Sequence, residues 1–323
     1  RGRRSANPSI PNPKSRQRIM RYIRQTAVGV LLVVSVTTTC GGAGSGGGTT
    51  AEGDPARRHL LIVLDGLRPD YVTPELMPNL HALGQRGGVM TRHHAVYPTV
   101  TRVNASSIST GAYPEVHGLM GNSIFFSTVD PGRFLNTGDR ANLLRVEEAT
   151  GRPLLTATTL GEVLQAAGER VLVASSGSTG SSYLLNHRVA GGAILHYDYG
   201  LPETLHAQAL ERLGDVPATG TPNDARNRWI VDAFLQVGLA AIEPAMTLMW
   251  LSDPDTTAHQ HGIGHPTTVE ALTRLDAEIQ RIQDGLADAG LLDIKMRPER
   301  ENRVKVLLFF DIGGSMDPYI KLC

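Results

Sequence analysis

Three apolar runs, each ending in small or acidic residues, constrain the fold more than any other feature: "HLLIVLDG" (59–66), "RVLVASSGS" (170–178) and "AMTLMWLSDPD" (245–255). A short run with no polar alternation suits a strand covered on both faces, as in a parallel sheet. Helical patterns lie between the runs. "TLGEVLQAAG" (159–168) is one, closed by Gly168, and the segment 267–290 is clearer. There Leu272, Leu275, Ile279, Ile282 and Leu286 recur every three or four residues as a one-faced stripe that Gly290 can cap. Strand followed by helix, repeated, predicts an α/β fold with a mainly parallel sheet and helices on both faces. Ligands in such folds bind at the carboxyl ends of the strands, where Asp65 and Asp255 fall.

The 323 residues are 41% hydrophobic, enough for one large domain or two small ones. Thirty-one basic side chains balance 31 acidic ones, so a broad nucleic-acid-binding surface is not expected. Cys40 and Cys323 are the only cysteines, and neither suits a disulfide framework or a zinc knuckle.

The front of the chain reads as an address. Residues 1–19, rich in Arg, Pro, Ser and Asn, are expected to be disordered or upstream read-through. From Met20, "MRYIRQ" supplies positive charge and "TAVGVLLVVSV" an apolar core, shorter than the roughly 20 residues a membrane span needs. "TTTC" and the Gly/Ser-rich segment 41–57 follow. The stretch 20–40 resembles a bacterial lipoprotein signal peptide, with Cys40 lipidated and a flexible tether behind it, although Thr stands where Leu is usual three positions before the Cys. An ordinary cleaved signal with an incidental cysteine is the alternative. The expected location is outside the cytoplasm, anchored to the membrane as a lipoprotein.

Four stretches of the remainder carry candidate chemistry. Asp65 closes the first strand, and taken alone it reads as an Asp that opens a turn or caps a helix. In "YPTVTRVNASSISTGAYPEVHGLMGN" (97–122), Thr99 and Thr101 precede a small-residue stretch that starts a helix; a hydroxyl there meets unpaired N–H groups suited to a phosphate, or is a simple N-cap. In "DPDTTAHQHGIGHP" (253–266), Asp255 and His259 are four apart, which on a turn or helix puts carboxylate and imidazole on one face, and His261 and His265 lie close by. The fourth is Asp311, after the apolar run "VKVLLFF".

Taken together and in order, "VLDGLRPDY", "MPNLHALGQRGG", "YPTVTRVNASSISTGAYPEVHG", "GNS" and "DPDTTAHQHG" resemble the nucleotide pyrophosphatase/phosphodiesterase branch of the alkaline phosphatase superfamily. The resemblance runs from about residue 58 to 293 and makes 58–292 the amino-terminal part of a catalytic domain. It implies two zinc ions and hydrolysis of a nucleotide or small phosphodiester. Carried over by motif, Thr101 is the nucleophile, Asp65 binds the zinc that activates it, Asn122 hydrogen-bonds a phosphoryl oxygen, and Asp255 and His259 bind the second zinc. "TRVNASS" stands where "TFPNHYS" is usual in vertebrate members, which leaves substrate choice open.

The family completes its metal ligands with an Asp-His-Gly turn after the next strand and a His further on, whereas this chain continues "IKMRPERENRVKVLLFFDIGGSMD". Two readings of this tail (293–323) stand. It is a divergent end of the same domain, with Asp311 in place of the Asp of Asp-His-Gly. Or it resembles the first strand of a von Willebrand type A domain, with Asp311 and Ser315 as magnesium ligands and the chain a chimera joined near residues 290–293. The second is the expectation, and with two ligands per metal it makes this chain inactive or nearly so. A lipid-anchored protein that binds nucleotide or anion without turnover is the non-enzyme alternative.

Overall fold

The structure, a computed structural model, describes residues 58–292 and the backbone of Val304–Phe310. Four long runs of the sheet are parallel: β1 (Arg58–Leu64), β4 (Val171–Ser175), β5 (Gly192–His196) and β7 (Met246–Leu251). A two-residue hairpin, β2 (Ser123–Ile124) with β3 (Leu135–Asn136), stands apart from them. Short β6 (Gly200–Leu201) closes one edge antiparallel to β5, and β8 (Val304–Phe310) forms the other edge, parallel to β1, in the order β6-β5-β4-β7-β1-β8.

Each long strand feeds two cores, which is why its sequence shows no polar alternation. Leu60, Ile62 and Leu64 of β1 pack on one face with Leu172, Met249 and Leu251. Leu61 and Val63 pack on the other with Val173, Leu248 and Trp250. The helices cover these two faces as expected. Along the chain they are α1 (Pro78–Arg86), α2 (Thr101–Thr110), α3 (Pro114–His117), α4 (Arg140–Thr150), α5 (Leu160–Ala166) and α6 (Thr179–Leu185). They continue with α7 (Glu203–Leu213), α8 (Asp224–Ala233), α9 (Asp255–His261) and α10 (Pro266–Asp288). α8 runs on through a π turn at Phe234–Gly238.

Both helices read from the sequence form, at Leu160–Ala166 and Pro266–Asp288. Thr159 and Glu162 make a reciprocal capping box at the start of α5. All five residues of the α10 stripe are buried against β1 and β7. α10 also holds α1: Asp276 accepts the N–H groups of Asn79 (3.0 Å) and Leu80 (2.8 Å), the orphan donors of that helix start.

β8 bears on the tail. Val304–Phe310 adds to the sheet in register with β1, Leu61 opposite Leu307 and Leu64 opposite Phe310. The sheet therefore gives no support to a separate module opening with this strand, and the chimera expectation finds nothing else to rest on. The basic, proline-containing link before it obscured the strand–helix rhythm. Cys40, Asp311 and Ser315 lie outside the described residues.

Candidate active site

The site is built where β1 and β7 end side by side. Their pairing continues one step beyond the strands: the Asp65 N–H donates to the Leu251 carbonyl (3.0 Å), and the Asp255 N–H donates to the Asp65 carbonyl (2.9 Å). Gly66 makes this junction possible. Its φ of +71° favours glycine, and a Cβ there would sit 2.9 Å from the Asp255 Cβ and 3.0 Å from its Cα. The two carboxylates predicted from sequence are thus brought together by backbone geometry. Asp65 is buried, and its Oδ2 accepts the indole N–H of Trp250 at 3.0 Å. Trp250 looks like core in the sequence; here it also fixes the rotamer of a site carboxylate.

Asp255 opens α9, and His259 lies one helical turn later with Nε2 3.4 Å from Asp255 Oδ1. The hydrogen bond to Asp255 raises the His259 pKa above its ordinary value, against the effect of burial. Beneath them a polar network holds the β7–α9 turn. Asp253 accepts from the Asn223 N–H (2.8 Å), the Asn227 amide (3.0 Å) and the Thr257 hydroxyl (2.7 Å), while Asn223 also donates to Ser252. Burial pushes the Asp253 carboxyl up, and these donors pull it back only in part. His261 and His265 are engaged otherwise: their rings stack at 5.1 Å, and His265 caps α10 by accepting the Thr267 N–H.

Thr101 is the first residue of α2, and Val100 before it is the N-cap, so Thr101 is not the simple capping residue one reading allowed. Thr99 lies outside the helix. Asn122 reaches the same helix start: its Oδ1 accepts the Arg102 N–H at 3.1 Å. That backbone donor fixes the amide orientation, which leaves the NH2 of Asn122 as its donor end. The Asn122 carbonyl in turn accepts the Thr137 N–H. Burial works against the charge of Arg102, and the Asp65 and Asp255 carboxylates favour it, the net shift being downward.

Of the residues singled out in the sequence, the structure sets Asp65 beside Asp255 and His259, and Asn122 at the helix start that Thr101 opens; Gly66, Trp250 and Arg102 were not singled out. The "DG" pair was the one visible hint of the close approach at Gly66. Carboxylate oxygens beside an imidazole fit zinc in donor type. In number they fall short: among the described residues no group of three or more His, Cys, Asp or Glu converges on one point.

The family model described as type I phosphodiesterase / nucleotide pyrophosphatase matches residues 59–294. A venom phosphodiesterase of Crotalus durissus collilineatus is 26% identical over 79% of this chain, which covers 26% of that protein. Ectonucleotide pyrophosphatase/phosphodiesterase family member 1 of Rattus norvegicus is 26% identical over 81% of this chain and 25% of its own length. Murine ectonucleotide pyrophosphatase/phosphodiesterase 5, an inactive variant in complex with AMP, superposes with a TM-score of 0.55 at 16% identity, over 79% of this chain and 56% of that one. The chain thus spans about a quarter of the length of these curated relatives.

Proposed function

Because the chain belongs to the type I phosphodiesterase / nucleotide pyrophosphatase family, we propose that it hydrolyses phosphodiester or nucleotide pyrophosphate bonds with Thr101 as nucleophile. What carries the reading is the joined end of β1 and β7, where Asp65 and Asp255 abut with His259 one turn on. AMP bound to a structural relative supports a nucleotide substrate.

In this reading the Thr101 oxygen forms a bond to phosphorus as the ester P–O bond breaks. Water then cleaves the Thr101–phosphoryl ester and restores the hydroxyl, so one difficult step becomes two easier ones. Asn122 offers its NH2 to a phosphoryl oxygen while its Oδ1 stays on the Arg102 N–H. Trp250 and the Asp253 network keep the two carboxylates in place. Two zinc ions, when bound, supply charge that lowers the hydroxyl pKa and steadies the leaving oxygen. Asp65 and Thr101 would hold one, Asp255 and His259 the other. Asp311 follows Phe310 in the chain as Asp65 follows Leu64, and those two residues pair in the sheet. A nucleotide-binding protein without turnover is the competing outcome.

The names of the relatives, venom and ecto-enzymes, describe proteins that act outside cells. With the signal-like segment 20–40 they support export of this chain, and the Cys40 with its Gly/Ser-rich segment is the basis on which we propose anchoring through a lipid. No helix among the described residues is long and apolar enough to cross a membrane.

The test is hydrolysis of bis(p-nitrophenyl) phosphate with and without zinc. The expected result is zinc-dependent turnover that falls by about 10³-fold or more in Thr101→Ala, with melting temperature retained. Zinc and nucleotide binding without turnover would replace the hydrolase by the binding protein.

A further inference from the structure

Thr101 opens α2 behind a residue that cannot cap it. Val100, the N-cap, has no side-chain acceptor to offer the first N–H groups of the helix, and no side-chain cap bond is made. Helix starts left in this way fray, and this one carries the proposed nucleophile on its first residue. Hydrogen bonds from other positions hold it instead. Asn122 takes the Arg102 N–H at 3.1 Å from outside the helix. A second asparagine, Asn104, acts from within it.

Asn104 is three residues beyond Thr101 and only 8% exposed. Its side-chain amide is used at both ends. Nδ2 donates to the Val100 carbonyl at 3.1 Å, and Oδ1 accepts the Val96 N–H at 2.9 Å. Its backbone N–H donates to the same Val100 carbonyl at 3.1 Å. Any buried amide is expected to be paired somewhere. What marks this one is where its partners lie, both in the segment 96–100 that leads into Thr101. Within that segment the Val100 N–H donates to the Pro98 carbonyl at 2.8 Å. The amide thus fixes the far end of the segment at Val96 and its near end at Val100, the residue bonded directly to Thr101. An apolar side chain of similar size could fill the position, but it would strip Val96 of its acceptor and loosen the approach to the helix.

We propose that Asn104 is a positioning residue that holds the Thr101 side chain in its place at the site by tying residues 96–100 to the first turn of α2. The inference deepens the reading of Thr101 as the attacking group and rests on it. Asn104 acts through the backbone and touches no substrate. Misplacing an attacking atom by about 1 Å lowers the rate by about 10²-fold. Groups other than Asn104 bind the ester, so the loss falls on kcat and not on KM.

The experiment compares wild type, Asn104→Leu and Leu205→Ala, all with zinc present. Leu205, buried on α7 in the core on the other face of the sheet, controls for a general loss of stability. Hydrogen exchange read by mass spectrometry reports the peptides that cover 95–104, and bis(p-nitrophenyl) phosphate reports turnover. Asn104→Leu is expected to exchange about tenfold faster in those peptides, the loss of one hydrogen bond's worth of protection. Its kcat should fall by about 10²-fold while KM changes less than about threefold. Leu205→Ala should show neither effect. Unchanged exchange, faster exchange with kcat intact, a loss confined to KM, or the same pattern in Leu205→Ala each overturns the proposal. If wild type cleaves no ester, the hydrolase reading falls, and the exchange result alone decides whether Asn104 holds Thr101. Should Asn104→Leu fail to fold, Asn104→Ser takes its place. Its hydroxyl can still donate to the carbonyl four residues back but does not reach the Val96 N–H, so faster exchange and a kcat lower by about tenfold are expected. No change in either overturns the proposal.

Discussion

Replacing Gly66 by Ala tests whether the two site carboxylates are held together by a backbone contact. Two costs add. At φ +71° an alanine is strained by about 1–2 kcal/mol relative to glycine. The new Cβ would also stand 2.9 Å from the Asp255 Cβ, whereas carbon atoms pack at about 3.5–4.0 Å, so the Asp255 turn must move by roughly half an ångström or more. That movement stretches the 2.9 Å bond from the Asp255 N–H to the Asp65 carbonyl, and leaving such a buried pair unmade costs about 1–3 kcal/mol. The expected total is about 2–5 kcal/mol. Gly151→Ala is the control: its φ is +62°, but nothing lies within 4 Å of the added Cβ, so only the strain of about 1–2 kcal/mol applies. Urea unfolding of the two variants measures the difference, and zinc content by chelator competition reports the site. Equal destabilisation, with zinc uptake unchanged in Gly66→Ala, would refute the argument that this contact builds the site.

Two further outcomes are expected. Asn122→Ala should lower kcat by about 10²-fold with little change in KM, because its amide acts on charge that develops in the transition state; a change confined to KM would sink that role. His196 should make stability pH-dependent. It is buried, with Nε2 on the Gly177 carbonyl and Nδ1 accepting the Asp198 N–H, and burial pushes its pKa down from 6.5 to about 4. The unfolded chain then binds more protons than the folded one between these values, so stability is lost as pH falls from 6.5 towards 4, by about 3 kcal/mol in all. Urea midpoints at pH 7 and 4.5 should diverge in wild type and converge in part in His196→Gln; parallel behaviour of the two proteins would contradict it.

What could be read from the sequence was local. The uninterrupted apolar runs of β1, β4 and β7 showed strands covered on both faces, and the stripe of α10 showed its buried side, because each depends on near neighbours in the chain. Asp255 and His259 were legible for the same reason, being one helical turn apart. The contacts that assemble the site were not. Gly66 meets Asp255, Trp250 meets Asp65, and Gly138 makes room for Arg102, each across an interval that no periodicity records. The place of β8 in this sheet was not legible because parallel partners need not be near in sequence: Val304 pairs with Arg58, far upstream.

The most direct test of the account is to look for the covalent intermediate. Zinc-loaded protein is mixed with a p-nitrophenyl nucleotide ester, quenched in acid within the first turnovers, digested and mapped by mass spectrometry. The account predicts a nucleotidyl group on the peptide that carries Thr101, absent from Thr101→Ala. Turnover that continues with no adduct there, or with the adduct on another residue, would contradict it.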